Sequence, residues 1–249
     1  MKPSNLWIEL NLLSGANLGR GDGVAGLVNA EVKHDRMGLP YLSGKTLKGL
    51  LVAHCAEVLY SLEQISPTNL GKWQAAAESL FGSPGSGYAS VGKLHFEDAC
   101  LAPDLRARVI GEFQLLESLT SSTARERKWG LKRAANLEAL TALRRQTAMD
   151  AKTGAPLRNT LRTTRVVLRS TTLYAPLGAR PALDGLEAPL LAAIVCAFRR
   201  MGGRRNRGLG ALKAELYAEP VFDLQTNLPT SAQPVTTAWL AQFEKEVQQ

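Results

Sequence analysis

A glycine- and arginine-rich segment near the carboxyl end of the sequence constrains the fold most. Residues 202–210 read GGRRNRGLG, and they follow directly on an apolar run, residues 186–201, that is typical of a buried helix. Glycine lets the backbone turn through positive φ and lets a ligand come within contact of the main chain, while arginine offers a planar fork of donors suited to phosphate oxygens. The segment therefore predicts either a loop that grips phosphate or a tight turn whose arginines are only solvated.

The positive charge of the chain is concentrated rather than dispersed. The formal net charge is +8, and residues 125–169 contain twelve Lys or Arg against three Asp or Glu, so the rest of the chain sums to −1. A second group of five arginines lies within residues 199–207. Such clustering favours a nucleic-acid-binding surface. Aromatic residues make up only 6% of the chain. We therefore expect the nucleic acid to be bound through charged side chains and backbone groups rather than by stacking on a broad aromatic surface.

The remaining composition is that of an ordinary globular protein, with 45% hydrophobic and 21% charged residues. Cys55, Cys100 and Cys196 are odd in number and scattered, so neither a disulfide framework nor a paired-cysteine metal site is expected, and a reducing cytoplasm is the natural location. No apolar run of about 18 residues occurs, so we expect no signal peptide and no membrane span. No cofactor and no metal are expected either.

Hydrophobic periodicity predicts alternating strands and helices in both halves of the chain. Strands are predicted at residues 6–13, 91–96, 162–174 and 211–217, and helices at residues 45–62 (with Ser43 as N-cap), 73–81, 186–201 and 236–247. Residues 113–148 show a long, basic helical pattern that is broken at Gly130, which predicts a helical finger projecting from the body. The order strand–helix–strand in each half favours an α+β fold of two ferredoxin-like units.

The same pattern suggests a division of the chain into three parts. Residues 1–112 are predicted to form an N-terminal ferredoxin-like part, and residues 113–148 the basic helical finger. Residues 149–249 are predicted to form a C-terminal ferredoxin-like part that carries the glycine-rich loop and a terminal helix.

Four ordered segments resemble a known family. They are residues 38–50 (GLPYLSGKTLKGL), residues 80–83 with 92–99 (LFGS and GKLHFEDA), residues 148–155 with 161–167 (AMDAKTGA and LRTTRVV), and residues 202–210. Together they are similar to the motifs of the repeat-associated mysterious protein (RAMP) superfamily of CRISPR systems. The resemblance spans about residues 6–218.

This resemblance implies a ferredoxin-like or RNA-recognition-motif-like fold that binds CRISPR RNA and joins other subunits of a class 1 effector complex, with no membrane partner. Lys45 and Lys48 support this ligand, since they open a helix whose N-terminal dipole and free amides favour phosphate. The predicted RNA-binding residues are Lys45, Lys48, Arg125, Arg127, Lys128, Lys132, Arg133, Arg144, Arg145, Arg162, Arg165, Gly203, Arg204, Arg205, Asn206, Arg207 and Gly208.

The resemblance also bears on catalysis. Backbone subunits of type III complexes that cut target RNA carry an aspartate about fifteen residues before the first motif, where this chain has Asn29. An amide cannot replace a carboxylate in a metal-dependent cleavage, and Glu31 is out of register. Target slicing is therefore not expected.

Proteins that process precursor CRISPR RNA cut without metal, by attack of a 2′-hydroxyl on the adjacent phosphate. The basic finger resembles that of the type IV CRISPR RNA endonucleases. Since His54 lies on an apolar helix face and His95 in a strand, His34 in a polar loop is the available histidine, and Arg20, His34 and Arg36 are the catalytic candidates. A non-catalytic, guide-binding backbone subunit of a type III or IV complex and a generic RNA-binding domain outside CRISPR systems are the alternatives.

Overall fold

The chain folds around one antiparallel sheet of four strands. The computed structural model describes residues 4–19, 21–23, 28–83, 91–118, 122–223 and 225–248. The strands of this sheet are β1 (Ser4–Leu12), β2 (Leu94–Phe96), β5 (Thr172–Ala179) and β6 (Leu212–Tyr217), and β3 (Thr141–Gln146) pairs with β4 (Arg162–Val167) in a separate hairpin. The helices are α1 (Gly44–Ile65), α2 (Leu70–Phe81), α3 (Pro103–Glu117), α4 (Ser122–Leu140), α5 (Glu187–Ala197) and α6 (Thr236–Gln248).

The four-stranded sheet has the order β2-β5-β1-β6, which is the strand arrangement of a single βαββαβ ferredoxin-like unit. The α+β class is thus confirmed. The two predicted strand–helix–strand segments are both present, but their strands interleave in this one sheet instead of forming two sheets. The reason is that β1, from the first half of the chain, pairs with two strands from the second half. It pairs with β5 over eight residue pairs and with β6 over six.

One face of the sheet is covered by helices. Leu6, Ile8, Leu10 and Leu12 alternate along β1 and are almost completely buried beneath them. Helix α5 has no polar stripe, because it packs against α1, α2, α6 and β6 and is enclosed on all sides. The prediction of a helix at residues 186–201 is confirmed for its first two-thirds, and the chain leaves the helix after Ala197.

The opposite face of the sheet carries a small aromatic cluster. Trp7, Tyr217 and Phe222 are buried together there, and the hydroxyl of Tyr217 donates to Oε2 of Glu9 at 3.2 Å. Burial raises the pKa of the Glu9 carboxyl. Two open cavities beside this cluster show that the face is only partly covered.

Helix α1 begins where the sequence predicts, but its cap differs from the prediction. The Ser43 side chain makes no capping hydrogen bond to the helix backbone and instead contacts the Thr46 hydroxyl at 2.8 Å. The amide of Gly44 donates to Oδ1 of Asp98 at 2.8 Å. A carboxylate from a distant segment thus neutralises the positive end of the helix, which local sequence cannot reveal.

The predicted finger at residues 113–148 is only partly correct. Helices α3 and α4 form a pair, but α4 continues through Gly130, since one glycine costs only about 1 kcal/mol in a helix. Phe113 and Trp129 hold the pair together with ring centroids 4.5 Å apart. Residues 141–146 are a strand rather than a helix, because they pair with β4.

The predicted strand at residues 162–174 is in fact two strands. β4 ends at Val167 and β5 begins at Thr172, and the backbone between them turns through Ser170 at φ 63°. The β-branched residues on both sides conceal this turn in the sequence.

Candidate nucleic-acid interface

The glycine-rich loop is held rigidly at its base. The amide of Gly203 donates to the carbonyl of Asn17 at 2.9 Å, and the amide of Gly210 donates to the carbonyl of Gly15 at the same distance. Gly202 has φ +81°, and a Cβ there would lie 2.4 Å from the Asn17 carbonyl oxygen. Both ends of the loop are therefore anchored on the segment that follows β1.

Asn17 is a residue of this site that the sequence did not single out. It is 5% exposed, and its Nδ2 donates to the carbonyl of Arg165 at 2.8 Å. The carbonyl of Asn17 accepts a hydrogen bond from the Gly203 amide. Asn17 thus connects β4 to the glycine-rich loop. A lone asparagine in a glycine-dense stretch gives no sign of this role in the sequence.

The exposed top of the loop is a 3-10 turn, Arg205–Arg207. Its backbone is supported by Arg200, whose Nη1 donates to the carbonyl of Arg205 at 2.8 Å. The side chain of Arg204 turns away and donates from Nη1 to Oε1 of Gln146 at 3.0 Å, which joins the loop to the end of β3. Arg205, Asn206, Arg207 and Gly208 remain exposed.

A groove of about 200 Å³ separates this loop from the first turn of α1. Its polar and charged lining comes from three regions of the chain: Lys33, then Tyr41, Ser43 and Thr46, then Gly202, Gly203 and Arg205. The ammonium of Lys33 lies 5.1 Å from the ring centroid of Tyr41. Cations, hydroxyls and an approachable glycine backbone together suit the phosphates and sugars of a nucleic-acid strand.

Lys45 and Lys48 do not line this groove. At about 3.6 residues per turn, Ser43, Thr46 and Leu50 fall on the groove side of α1, and the two lysines fall on other faces. The amide of Gly44, which the sequence offered as a free phosphate donor, is already bound to Asp98. Helical spacing within residues 38–50 would have identified the groove-facing hydroxyls in advance.

Arg165 is separated from the other predicted RNA-binding residues by burial. Its side chain is 10% exposed, and its Nε lies 2.9 Å from Oε1 of Glu31, which is 4% exposed. Nη1 of Arg165 donates to the hydroxyl of Thr141 at 3.1 Å. Both Arg165 and Glu31 are therefore committed to holding the N-terminal loop against the hairpin.

The other predicted basic residues lie on two surfaces. Arg144, Arg145 and Arg162 are exposed on the β3–β4 hairpin, which Arg204 joins to the glycine-rich loop. The remaining set lies on α4, where Arg127, Lys128 and Arg133 are exposed and Arg125 and Lys132 are half-buried. Lys132 is engaged by Glu112 of α3, with Nζ 2.6 Å from Oε2.

The α3–α4 pair is docked on the body of the protein through the loop at residues 33–40. Nδ2 of Asn136 donates to the carbonyl of Met37 at 2.9 Å, and a Cβ on Gly38 would lie 2.3 Å from the Arg133 carbonyl oxygen. The guanidinium of Arg36 lies 6.0 Å from the ring centroid of Trp129. One side of α4 is thus fixed against this loop.

The two catalytic candidates that the structure describes, His34 and Arg36, lie outside the groove. His34 is half-buried, its Nδ1 lies 2.9 Å from the carbonyl of Asp35, and neither His34 nor Arg36 lines the groove. Arg20 lies outside the described residues. Asn29, the residue in place of an aspartate, accepts from the Thr163 amide at 2.7 Å.

Neither a metal-binding cluster nor a membrane-spanning helix occurs among the described residues. In that part of the chain, no three His, Cys, Asp or Glu side chains come together in a way that could hold a metal ion. None of the described helices is long and apolar enough to cross a membrane.

The fold and the groove define a ferredoxin-like α+β protein with a cationic cleft at a glycine-rich loop. The chain belongs to the RAMP superfamily, whose family model matches residues 10–213. The resemblance of the four ordered segments is thereby confirmed.

Two solved structures contain a chain with a similar fold. A chain in the cryo-EM structure of the type III-B Cmr-beta apo state aligns with a TM-score of 0.55 and 12% identity, covering 90% of this chain and 99% of that one. A chain in type III-B Cmr-beta bound to cognate target RNA aligns with a TM-score of 0.53 and 12% identity, covering 87% and 97%. At such identity the likeness establishes the fold alone. No curated protein matches the chain.

Proposed function

We propose that this protein binds CRISPR RNA as a subunit of a class 1 effector complex, with the guide strand seated in the groove. The observation that carries the proposal is the convergence of Lys33, the α1 hydroxyls and the glycine-rich loop with Arg205 on one cleft. Membership of the RAMP superfamily and the fold shared with the Cmr-beta chains support the same role. The cytoplasm is the compartment that we assign to such a complex.

We further propose that the hairpin and the α3–α4 pair extend the contact with RNA. The exposed arginines of the hairpin continue the basic surface of the loop, while the basic residues of α4 form a second surface within the region predicted as residues 113–148. Phosphate contacts of this kind carry no sequence information, so they supply affinity and orientation rather than recognition of particular bases.

Arg205→Glu is expected to weaken binding of repeat RNA about tenfold or more, because a charge-assisted phosphate contact is replaced by repulsion. Fluorescence anisotropy with a labelled repeat RNA measures the dissociation constant. The matched control is Lys245→Glu, an equal charge change on α6, which contributes nothing to the groove. The logarithm of the binding constant should also fall with the logarithm of salt by about 0.7 per phosphate neutralised.

Two outcomes would contradict the proposal. Equal loss of binding in the Arg205→Glu and Lys245→Glu variants would show that net charge, not the groove, determines affinity. RNA binding without incorporation into an effector complex would favour a generic RNA-binding domain instead, since the phosphate contacts themselves do not distinguish sequences.

Cleavage of precursor CRISPR RNA is the second candidate function, and the environment of His34 favours it. The Asp35 carbonyl can only accept a hydrogen bond, so Nδ1 carries the proton and Nε2 of the neutral ring is left as a base. In this proposal Nε2 removes the proton of a 2′-hydroxyl, whose oxygen bonds to the adjacent phosphorus. The 5′-oxygen of the next nucleotide leaves and takes up a proton, with Arg36 near the developing charge.

Incubation with repeat RNA in EDTA tests the cleavage proposal. The expected products carry a 2′,3′-cyclic phosphate and a 5′-hydroxyl, and His34→Ala should slow their formation by about 10²–10⁴-fold. His54→Gln is the control, since the Nδ1 of His54 pairs with Glu57 at 2.8 Å on α1. RNA that stays intact with the wild-type protein overturns cleavage and leaves the binding role.

A further inference from the structure

The uncovered part of the sheet contains a trough that the groove does not explain. Two adjoining cavities, of about 500 Å³ and about 420 Å³, lie there, on the face of the sheet opposite the covering helices. They share Trp7, Phe96, Glu97 and Pro176 as lining residues and so form one continuous depression, which we call the sheet trough.

The walls of the sheet trough combine aromatic and proline surface with charged side chains. Trp7 forms its floor, and Tyr174 and Pro176 stand half-buried around it. The Tyr174 ring is held in place by an edge contact with Phe222, at 4.8 Å between centroids. Aromatic and proline surfaces of this kind accept a planar ring by stacking, and base–aromatic stacking tolerates every base.

The charges around the sheet trough favour an anionic ligand. Lys45 and Arg106 line one end and Arg180 the other, while the acids on the lining are Glu97 and Asp98. Asp98 already accepts the Gly44 amide and offsets the α1 dipole. Burial raises the pKa of the Cys100 thiol, so that this group remains neutral and adds no negative charge. Three cations thus face two carboxylates, one of which is held by the Gly44 amide.

The sheet trough meets the RNA groove at the first turn of α1. Ser43 and Thr46 line the groove, whereas Gly44 and Lys45 line the trough. A strand seated in the groove therefore needs to pass over only this turn to reach the trough. Lys45, which has no place in the groove, lies on that path.

We infer that the sheet trough is a second RNA subsite, in which one nucleotide of the strand leaving the groove stacks its base against Tyr174 and Pro176 while Lys45 and Arg106 hold the neighbouring phosphates. This inference rests on the proposed function, since it assumes that RNA occupies the groove. It assigns a stacking position to a chain whose low aromatic content argues against a broad platform.

Photocrosslinking of the full-length protein tests the inference. The probes are single-stranded RNAs of about 4 and about 12 nucleotides with 4-thiouridine at the end, since single-stranded sites cover roughly this range. The longer RNA is expected to crosslink to peptides that contain Tyr174, and the shorter RNA is expected to crosslink only around the groove.

A charge variant gives an independent readout by anisotropy. Arg106→Glu is expected to weaken binding of the longer RNA about tenfold and to leave binding of the shorter RNA within twofold of wild type. Arg108→Glu is the matched control, because Arg108 lies on the same helix, is exposed and lines neither cavity.

The outcomes separate this inference from the proposed function. If both RNAs bind but neither crosslinks to the trough and Arg106→Glu behaves like Arg108→Glu, the second subsite is wrong and the groove stands. If Arg106→Glu retains RNA binding but fails to assemble with other effector subunits, the trough is a protein contact and the inference is overturned. If no RNA binds at all, the proposed function itself fails.

Discussion

Glu31→Ala is expected to destabilise the protein by about 3–5 kcal/mol, because it leaves the Arg165 guanidinium buried without its counter-charge. Among the described residues, the guanidinium would keep only the Thr141 hydroxyl as a side-chain partner. Chemical denaturation followed by circular dichroism measures the loss in the free energy of unfolding. The effect is large because both side chains are nearly excluded from water.

Two variants make this prediction specific to burial. Arg162→Ala removes an exposed arginine from the start of the same strand and is expected to change stability by less than about 0.5 kcal/mol. Replacing both partners, as in Glu31→Gln with Arg165→Met, should recover much of the loss, since no unpaired charge remains. Equal effects of Glu31→Ala and Arg162→Ala would show that the pair is not buried in solution.

The same substitution is expected to weaken RNA binding, although Glu31 is not part of the groove. The Arg165 carbonyl accepts a hydrogen bond from Nδ2 of Asn17, and the Asn17 carbonyl accepts one from the Gly203 amide. These hydrogen bonds connect the buried pair to the glycine-rich loop. Glu31 is thus a positioning residue. Asn17→Ala removes the Nδ2 donor without burying a charge, and should reproduce the weaker RNA binding with a smaller loss of stability.

Most helices and three strands of the fold could be predicted from the sequence, because their periodicity is local. The elements β1, α1, α2, β2, α5, β6 and α6 all overlap their predicted positions. The β3–β4 hairpin could not be predicted, since its strands pair across residues 147–161 and its basic residues fit a helix equally well. The sequence likewise could not predict that the strands of the two halves interleave in one sheet, because this depends on the long-range pairing of β1 with β5 and β6.

The candidate site was predictable only in its outline. Clustered arginines and glycines marked the loop, but they could not distinguish the exposed Arg162 from the buried Arg165 three residues later. Alternation along β4 would have placed Arg162 and Arg165 on opposite faces of the strand. The burial of Arg165 is explained only by its ion pair with Glu31, which is distant in the sequence. The sequence did not single out Asn17 or Arg106, because the residues that surround each of them come from distant parts of the chain.

Gly210→Ala is expected to cost roughly 3–5 kcal/mol and to abolish ordered packing of the glycine-rich loop. Gly210 has φ +75°, and its Cβ would meet the carbonyl oxygen of Met201 at a distance that no atoms can tolerate. The amide of Met201 also donates to the Gly210 carbonyl at 2.9 Å, so the two strands of the loop base cannot separate without losing this bond. Thermal denaturation and RNA anisotropy measure the two consequences.

The Gly208→Ala variant shows how much of the expected effect of Gly210→Ala comes from the steric clash and how much from backbone strain. Gly208 has the same φ of +75°, but a Cβ there meets nothing within 4 Å, so the expected cost is only about 1 kcal/mol. Since Gly208 is at the exposed top of the loop, this variant should retain the fold and lose RNA affinity only if the strand approaches the backbone at that point. Similar losses of stability for Gly208→Ala and Gly210→Ala would contradict the close approach at Met201, because the two glycines differ in surroundings and not in φ.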